Sequence, residues 1–242
     1  MRLWVFGVGA AVLAVMFAAG FHDLPRFGGN WHPYGARAVT AALAQRTANT
    51  ISSVNFDLRA MDTLGEESIL FAAVLGTVIL LRQTRDEHRE EPEPARVSRP
   101  VMLFGMLGLP VTIVVGLYVI AHGQLSPGGG FQGGVVVATA VHLLYLAADY
   151  RALERIRPVE IYEVADAVGE AAYVLLGAAG LLAGASYLAN VLPHGTFNTL
   201  SSGGTVPLLN AAVGMEVACG IVVLLARFLD QAVEIKEEGE DG

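Results

Sequence analysis

The chain is poor in the residues on which secreted and soluble folds usually depend. It holds one cysteine, Cys219, in 242 residues. That excludes an internal disulfide framework and any metal site built from paired cysteines. Charged residues are 16% of the chain, against roughly 25% in an ordinary globular domain. Basic runs interleaved with aromatics are missing, so a nucleic-acid surface has no support. The densest glycine run ends Gly133-Gly134 and continues Val135-Val136-Val137. A phosphate cradle needs Gly-Lys-Ser/Thr at that point, so nucleotide binding has no support either.

What the chain has in quantity is apolar length. Hydrophobic residues make up 54% of it, and the mean hydropathy is +0.53. A helix crossing a bilayer needs about 20 mainly apolar residues. Six blocks qualify: 3–20, 64–81, 101–121, 134–148 extended back through 130–133, 167–188 and 208–228. The expected fold is an all-α integral membrane protein with about six transmembrane helices, two and then four, joined by glycine-rich outer loops. The first block is longer than the roughly 7–15 apolar residues of a signal peptide and lacks a clear cleavage box. A retained helix is the expectation.

Arginine placement gives an orientation. Arg82, Arg85, Arg89, Arg96 and Arg99 fall between the second and third blocks, and Arg151, Arg155 and Arg157 between the fourth and fifth. The loops around Ser126 and Thr199 carry no Lys or Arg. The positive-inside rule then puts both termini in the cytoplasm and the glycine-rich loops 123–134 and 195–207 outside. Arg26, Arg37, Arg46 and Arg59, in the long first outer loop, run against this assignment. The net charge of −8 arises largely from cytoplasmic segments. Glu90-Glu91-Pro92-Glu93-Pro94 is a charged, proline-broken stretch that reads as a linker. The chain thus divides into a two-helix region (1–86), a linker (87–99), a four-helix region (100–230) and an acidic tail (231–242).

Ionisable groups in or beside spans are the first candidates for function, because each is costly in a membrane. Asp62 and Glu66 are four apart, so on a helix they share a face. They serve either as acids complementing the helix N-terminus or as a proton or cation site. Glu216 lies inside the last block, and its two readings are ion passage or subunit contact, and a packing hydrogen bond. Glu163, Asp166 and Glu170 fall at i, i+3 and i+7, one acidic face where the fifth span begins, with Glu170 deepest. His122 ends the third block and His142 lies inside the fourth; each suits a proton relay near neutral pH or a hydrogen bond to a neighbouring helix. Gly180-x-x-x-Gly184 is a small-residue seam for helix packing.

The run Ser126-Pro127-Gly128-Gly129-Gly130-Phe131-Gln132-Gly133-Gly134 breaks regular backbone between two apolar blocks. Bare backbone at membrane depth is tolerated only under protein or beside a water-filled cavity. The run is therefore a helix break for close packing, or a set of carbonyls with Gln132 lining a hydrated path, and the two are compatible. Pro127 would set the bend and Phe131 would wedge the helices.

Two stretches carry a family resemblance. Asn49 to Glu66, with its Asp57-Leu58-Arg59-Ala60-Met61-Asp62-Thr63-Leu64-Gly65-Glu66 core, resembles the end of the large A-type subunit of Mrp-type multisubunit Na⁺/H⁺ antiporters. It also resembles the small E-type subunit of related membrane-bound hydrogenases. Ala60 stands where that pattern usually has glycine, and Met61 where it has an aromatic. From about residue 100 to 230 the chain resembles the B-type subunit of the same antiporters, the MnhB domain. The motifs there are Gly123 to Gly134 and Leu200-Ser201-Ser202-Gly203-Gly204-Thr205-Val206-Pro207-Leu208-Leu209-Asn210. The resemblance implies a non-catalytic membrane subunit that helps build the cation and proton path of a Na⁺/H⁺ antiporter. The alternative it leaves open is the equivalent subunit of a hydrogenase-type redox complex. It further implies A-, C-, D-, F- and G-type partner subunits in a prokaryotic plasma membrane. No cofactor or metal is expected, with Na⁺ and H⁺ as transported species.

Overall fold

The computed structural model describes residues 2–22, 24, 33–81, 97–147 and 159–229, and among them all regular structure is helical. Most of the 87–99 linker, the arginines at 82–96 and 151–157, and the 231–242 tail lie outside the described residues. The elements are α1 (Arg2–His22), α2 (Pro33–Ala44), α3 (Thr50–Ser53), a π-helical turn (Val54–Leu58), α4 (Ala60–Leu80), α5 (Arg99–Ala121), α6 (Gly130–Ala147), α7 (Val159–Leu182) and α8 (Val206–Leu229). Helices α1, α4, α5, α7 and α8 are long and apolar enough to cross a bilayer, and α6 is a shorter apolar helix. These are the six expected spans. The described part of the long first loop, by contrast, holds α2, α3 and the π-helical turn.

The chain forms two compact units, residues 1–37 and 38–242. In the first, α1 is one unbroken helix of 21 residues, about 31 Å at 1.5 Å per residue. In the second, α8 is central. Two thirds of its apolar window (67%) is buried, against 28% for α7, 17% for α4 and 11% for α5. It packs against α4, α5, α6 and α7.

Glycine makes these helices meet backbone to backbone. A Cβ at Gly133 of α6 would lie 2.7 Å from the Gly116 carbonyl oxygen of α5. One at Gly134 would lie 2.8 Å from the Gly214 carbonyl of α8. This is small-residue packing, the means by which membrane helices gain dispersion contact where burial from water gives no drive. It also redraws the expected outer loop: Gly130, Gly133 and Gly134 belong to the first turns of α6, and the segment between helices is only 122–129.

Two other expectations shift at the end of α7. That helix stops at Leu182, and residues 183–188, expected inside the fifth span, turn away. Gly184 takes φ +76°, its N–H donating to the Leu181 carbonyl (3.0 Å) while Ala185 N–H donates to Gly180 (3.0 Å). A left-handed glycine closing orphan carbonyls in this way ends a helix. Gly184 faces nothing within 4 Å, and Gly180 meets the Ser186 carbonyl instead, so the pair is a helix stop rather than an interhelical seam.

The three parts of the second unit are tied at one buried side chain. Asn210, on the second turn of α8, is fully buried. Its Oδ1 accepts from Gly130 N–H at 2.8 Å, and its Nδ2 donates to Ser52 Oγ (3.0 Å) and the Val206 carbonyl (3.0 Å). Gly130 N–H is one of the orphan donors at the start of α6, so the amide caps that helix from a neighbour. Asn210→Ala strands the Gly130 donor and the Ser52 hydroxyl, at about 1–3 kcal/mol for each group left unsatisfied. A clear fall in the thermal midpoint of the purified protein in detergent is expected. Gly65→Ala, in a helix position with nothing within 4 Å, is expected to raise that midpoint, by about 0.5–1 kcal/mol in stability.

Candidate ion-path site

The segment between α2 and α4 holds the glycine-rich run in place. Asn49 caps α3, its Oδ1 accepting from Ile51 N–H (3.1 Å) and Ser52 N–H (3.3 Å). Its Nδ2 reaches across to the Gly123 and Ser126 carbonyls, both at 2.8 Å. Gln124 links this run to the second glycine-bearing loop through Nε2 to the Leu200 carbonyl (3.0 Å). Within that loop Asn190 accepts from Thr205 N–H (2.8 Å) and donates to the Gly203 carbonyl (3.0 Å). Both glycine-rich motifs therefore sit at the same end of the bundle, and the 45–58 segment joins them there.

Gly128 and Gly129 turn the chain into α6 with φ of +119° and +149°, a backbone that L side chains rarely adopt. The turn opens a cavity of about 250 Å³. Its walls are Gly128 to Gln132 on one side, and Ser52, Asn55, Phe56, Thr63, Glu66 and Glu67 on the other. The neutral motif and the acidic motif thus share one space.

Glu67 is the buried acid of that space. On α4 the buried positions are Ala60, Thr63, Glu67 and Val74, a heptad-like stripe, and the side chain of Glu67 is 1% exposed. It lies within electrostatic reach of Asp166 and Glu170 of α7, and Glu216 of α8 is in reach of all three. Asp166 and Glu216 are 2% and 0% exposed. Two glycines make the room: a Cβ at Gly169 would lie 2.8 Å from Glu216 Cβ, and one at Gly220 3.0 Å from Asp166 Oδ1. Among the described residues, Glu67 Oε2 and Asp166 Oδ1 have no hydrogen-bond partner, while Glu216 lies against the Glu170 carboxyl. Ser68 Oγ donates to Glu170 Oε1 at 2.8 Å. Tyr173, fully buried, ties α7 to the start of α4 through its hydroxyl to the Ala60 carbonyl (3.0 Å). Four carboxyls from three helices therefore meet inside the membrane-spanning region.

The other residues singled out from sequence have separate positions. Asp62 is exposed and pairs with Arg59 at 2.5 Å, while Glu66 is exposed at the cavity rim. Glu163 pairs with Arg227, in the last turn of α8. His122 caps α5, stacked on Tyr118 with ring centroids 3.9 Å apart. His142 is half-buried, its Nε2 without a partner among the described residues. Phe131 and Gln132 line the cavity, and Pro127 is exposed before the turn. Gly203 and Gly204 take φ of +88° and +63°, and Pro207 opens α8. The sequence pattern does not single out Glu67, which joins the site through its place on the buried stripe of 60, 63, 67 and 74.

Residues 100–223 match the family described as a domain related to the MnhB subunit of Na⁺/H⁺ antiporters. The B-type subunit of a Na⁺/H⁺ antiporter from Alkalihalophilus pseudofirmus is 33% identical over 78 residues, 32% of this chain and 54% of that protein. The chain thus spans about half the length of that curated relative. One chain of the membrane-bound sulfane sulfur reductase, an archaeal respiratory membrane complex, superposes with a TM-score of 0.73 at 28% identity, over 95% of this chain and 99% of that one. A chain of the Mrp complex from Dietzia sp. DQ12-45-1b shares the fold, with a TM-score of 0.69 at 22% identity, over 99% of this chain and 27% of that one. With its matched region lying in the four-helix half, this multi-pass membrane protein belongs to the MnhB-related family.

Proposed function

We propose that the chain is a non-catalytic membrane subunit of a multisubunit Na⁺/H⁺ antiporter. In this reading it contributes to assembly and to the cation and proton path. The observation that carries the proposal is the position of Glu67: it is buried, lines the cavity beside the glycine-rich run, and lies within electrostatic reach of Asp166, Glu170 and Glu216. Four ionised carboxylates cannot share a low-dielectric interior without compensating charge. Protons or a monovalent cation supply that charge, and exchange of one for the other is the elementary step of antiport. Entry runs from the outer end past the glycine-rich turn and Gln132, whose amide oxygen is a ligand suited to a partly dehydrated hard cation. Glu66 is the exposed acid of the cavity lining and Glu67 the buried one. His122, His142 and Glu163 are peripheral to this route, and Asp62 serves to fix the start of α4 through Arg59.

In this account the sibling subunits are of A, C, D, F and G type, the membrane is the prokaryotic plasma membrane, and both termini are cytoplasmic. A second reading has its own support. The end-to-end likeness to a chain of the sulfane sulfur reductase complex favours the same kind of subunit working inside a redox-driven assembly. Purifying the intact complex and identifying its subunits separates the two, since iron–sulfur or nickel-binding partners belong only to the second.

Single substitutions in the intact complex test the path, with Na⁺-dependent proton movement measured in inverted vesicles. Glu67→Gln and Glu216→Gln are each expected to lower the rate by about tenfold or more, with normal assembly, as removal of intramembrane titrating groups should. Asp62→Asn is expected to stay within about twofold, because its exposed pair with Arg59 contributes little. Undiminished transport in both glutamate variants would sink the proposal.

A further inference from the structure

Hydroxyls inside apolar helices ordinarily donate back to the carbonyl one turn earlier, where no water is present to take the hydrogen. Two threonines of this chain do so: Thr77 Oγ1 donates to the Ala73 carbonyl and Thr139 Oγ1 to the Val135 carbonyl, both at 2.8 Å. Ser68 does not. Its Oγ crosses from α4 to α7 and donates to Glu170 Oε1 at 2.8 Å. A hydroxyl has one hydrogen to give, so this bond replaces the local one. Ser68 directly follows Glu67, the buried acid of α4. Adjacent residues of one helix thus bring an acid and a donor to the same cluster.

Other hydroxyls near Glu170 are already engaged. Those of Tyr173 and Tyr187 lie within electrostatic reach of it, and they donate to the Ala60 (3.0 Å) and Val174 (3.3 Å) carbonyls. The remaining neighbours are acids: Glu67 of α4 and Asp166 of α7 are within reach, and Glu216 of α8 lies against the Glu170 carboxyl. Glu170 is therefore held at Oε1 by Ser68, while its other oxygen, Oε2, is buried and the carboxyl meets Glu216.

We propose that Ser68 is a positioning residue of the carboxyl cluster, orienting Glu170 against Glu216 so that the two present a preformed oxygen pair to a monovalent cation. Two carboxyls in contact do not both ionise without a proton or a cation between them. Holding one of them in a single orientation lowers the ordering cost when the cation takes the proton's place. Ser68 acts through Glu170, so it governs how tightly the cation is held rather than how fast the loaded site turns over. This inference rests on the ion-path reading and adds to it the residue that sets cation affinity.

Proton movement in inverted vesicles bearing the intact complex, measured across a range of Na⁺ concentrations, separates affinity from turnover. In Ser68→Ala the half-saturating Na⁺ concentration is expected to rise by about tenfold, the size of one lost hydrogen bond to a charged group. The maximal rate is expected to stay within about twofold of the parent. Ser68→Cys has a similar shape and a far weaker donor, and is expected to match Ser68→Ala. Ser68→Thr keeps the hydroxyl and is expected to match the parent. A purely structural role would instead lower the maximal rate and the amount of assembled complex, with no selective shift in half-saturation. An unshifted half-saturation in Ser68→Ala or Ser68→Cys, or a shift in Ser68→Thr as large as theirs, would overturn the role. Either donor-loss variant decides the matter alone, so failure of one to assemble leaves the test intact. The ion-path reading is judged by flux in the Glu67 and Glu216 variants, so Ser68 can fail while the path stands.

Discussion

The second unit depends on one buried carboxamide. Asn210 sits where α8 crosses under both the glycine-rich turn and α3, and its one side chain bonds all three. Its acceptor fills the vacant N-terminal amide of α6, and its donors hold Ser52 and the preceding turn of α8. A smaller residue would strand buried polar groups, and a larger one would collide: a Cβ at Gly123 or Gly129 already falls within 2.7 Å of the Asn210 oxygen. The glycines of the run and the asparagine are thus one device, and neither has a clear purpose without the other.

That device positions the acids. Clamping Gly130 starts α6 at a fixed depth, which sets Gly133 and Gly134 against α5 and α8. Clamping Ser52 fixes the segment that leads into α4, and so the turn on which Glu67 points inward. From the other side, Gly169 and Gly220 let α7 and α8 approach closely enough for Asp166 and Glu216 to meet Glu67. A membrane interior tolerates such groups only where they face protein, water or counter-charge. Here the fold surrounds them on three helices, and among the described residues Glu67 Oε2 and Asp166 Oδ1 are left without a hydrogen-bond partner, which is why the proposed exchange of proton and cation is set at this cluster.

Much of this was legible in the chain because membranes impose simple rules. Apolar length located all six spans, and the pairing of two uncharged glycine motifs located the end where their loops meet. Three things were not legible. The stop of α7 at Leu182 depends on the left-handed turn at Gly184, while hydropathy runs on to Leu188. The structure of 33–58 comes from side-chain bonds of Asn49 and Asn210 to distant carbonyls and amides, which no periodicity encodes. Among the acids, the i, i+4 spacing and the resemblance of 49–66 to the A-type subunit favour the Asp62 and Glu66 pair. Helix phase adds a third: residue 67 falls on the buried stripe of 60, 63 and 74, while Asp62 is exposed and Glu66, also exposed, lines the same cavity.

Exchange of a proton for a cation at the carboxyl cluster is the step on which the proposed function turns. Infrared difference spectroscopy on the reconstituted complex reads it directly, because a protonated carboxyl has a carbonyl stretch that its ionised form lacks. Adding Na⁺ at constant pH is predicted to remove a protonated-carboxyl band in the parent, and to leave that band position unchanged in Glu216→Gln. A parent spectrum with no Na⁺-dependent carboxyl change would contradict the account.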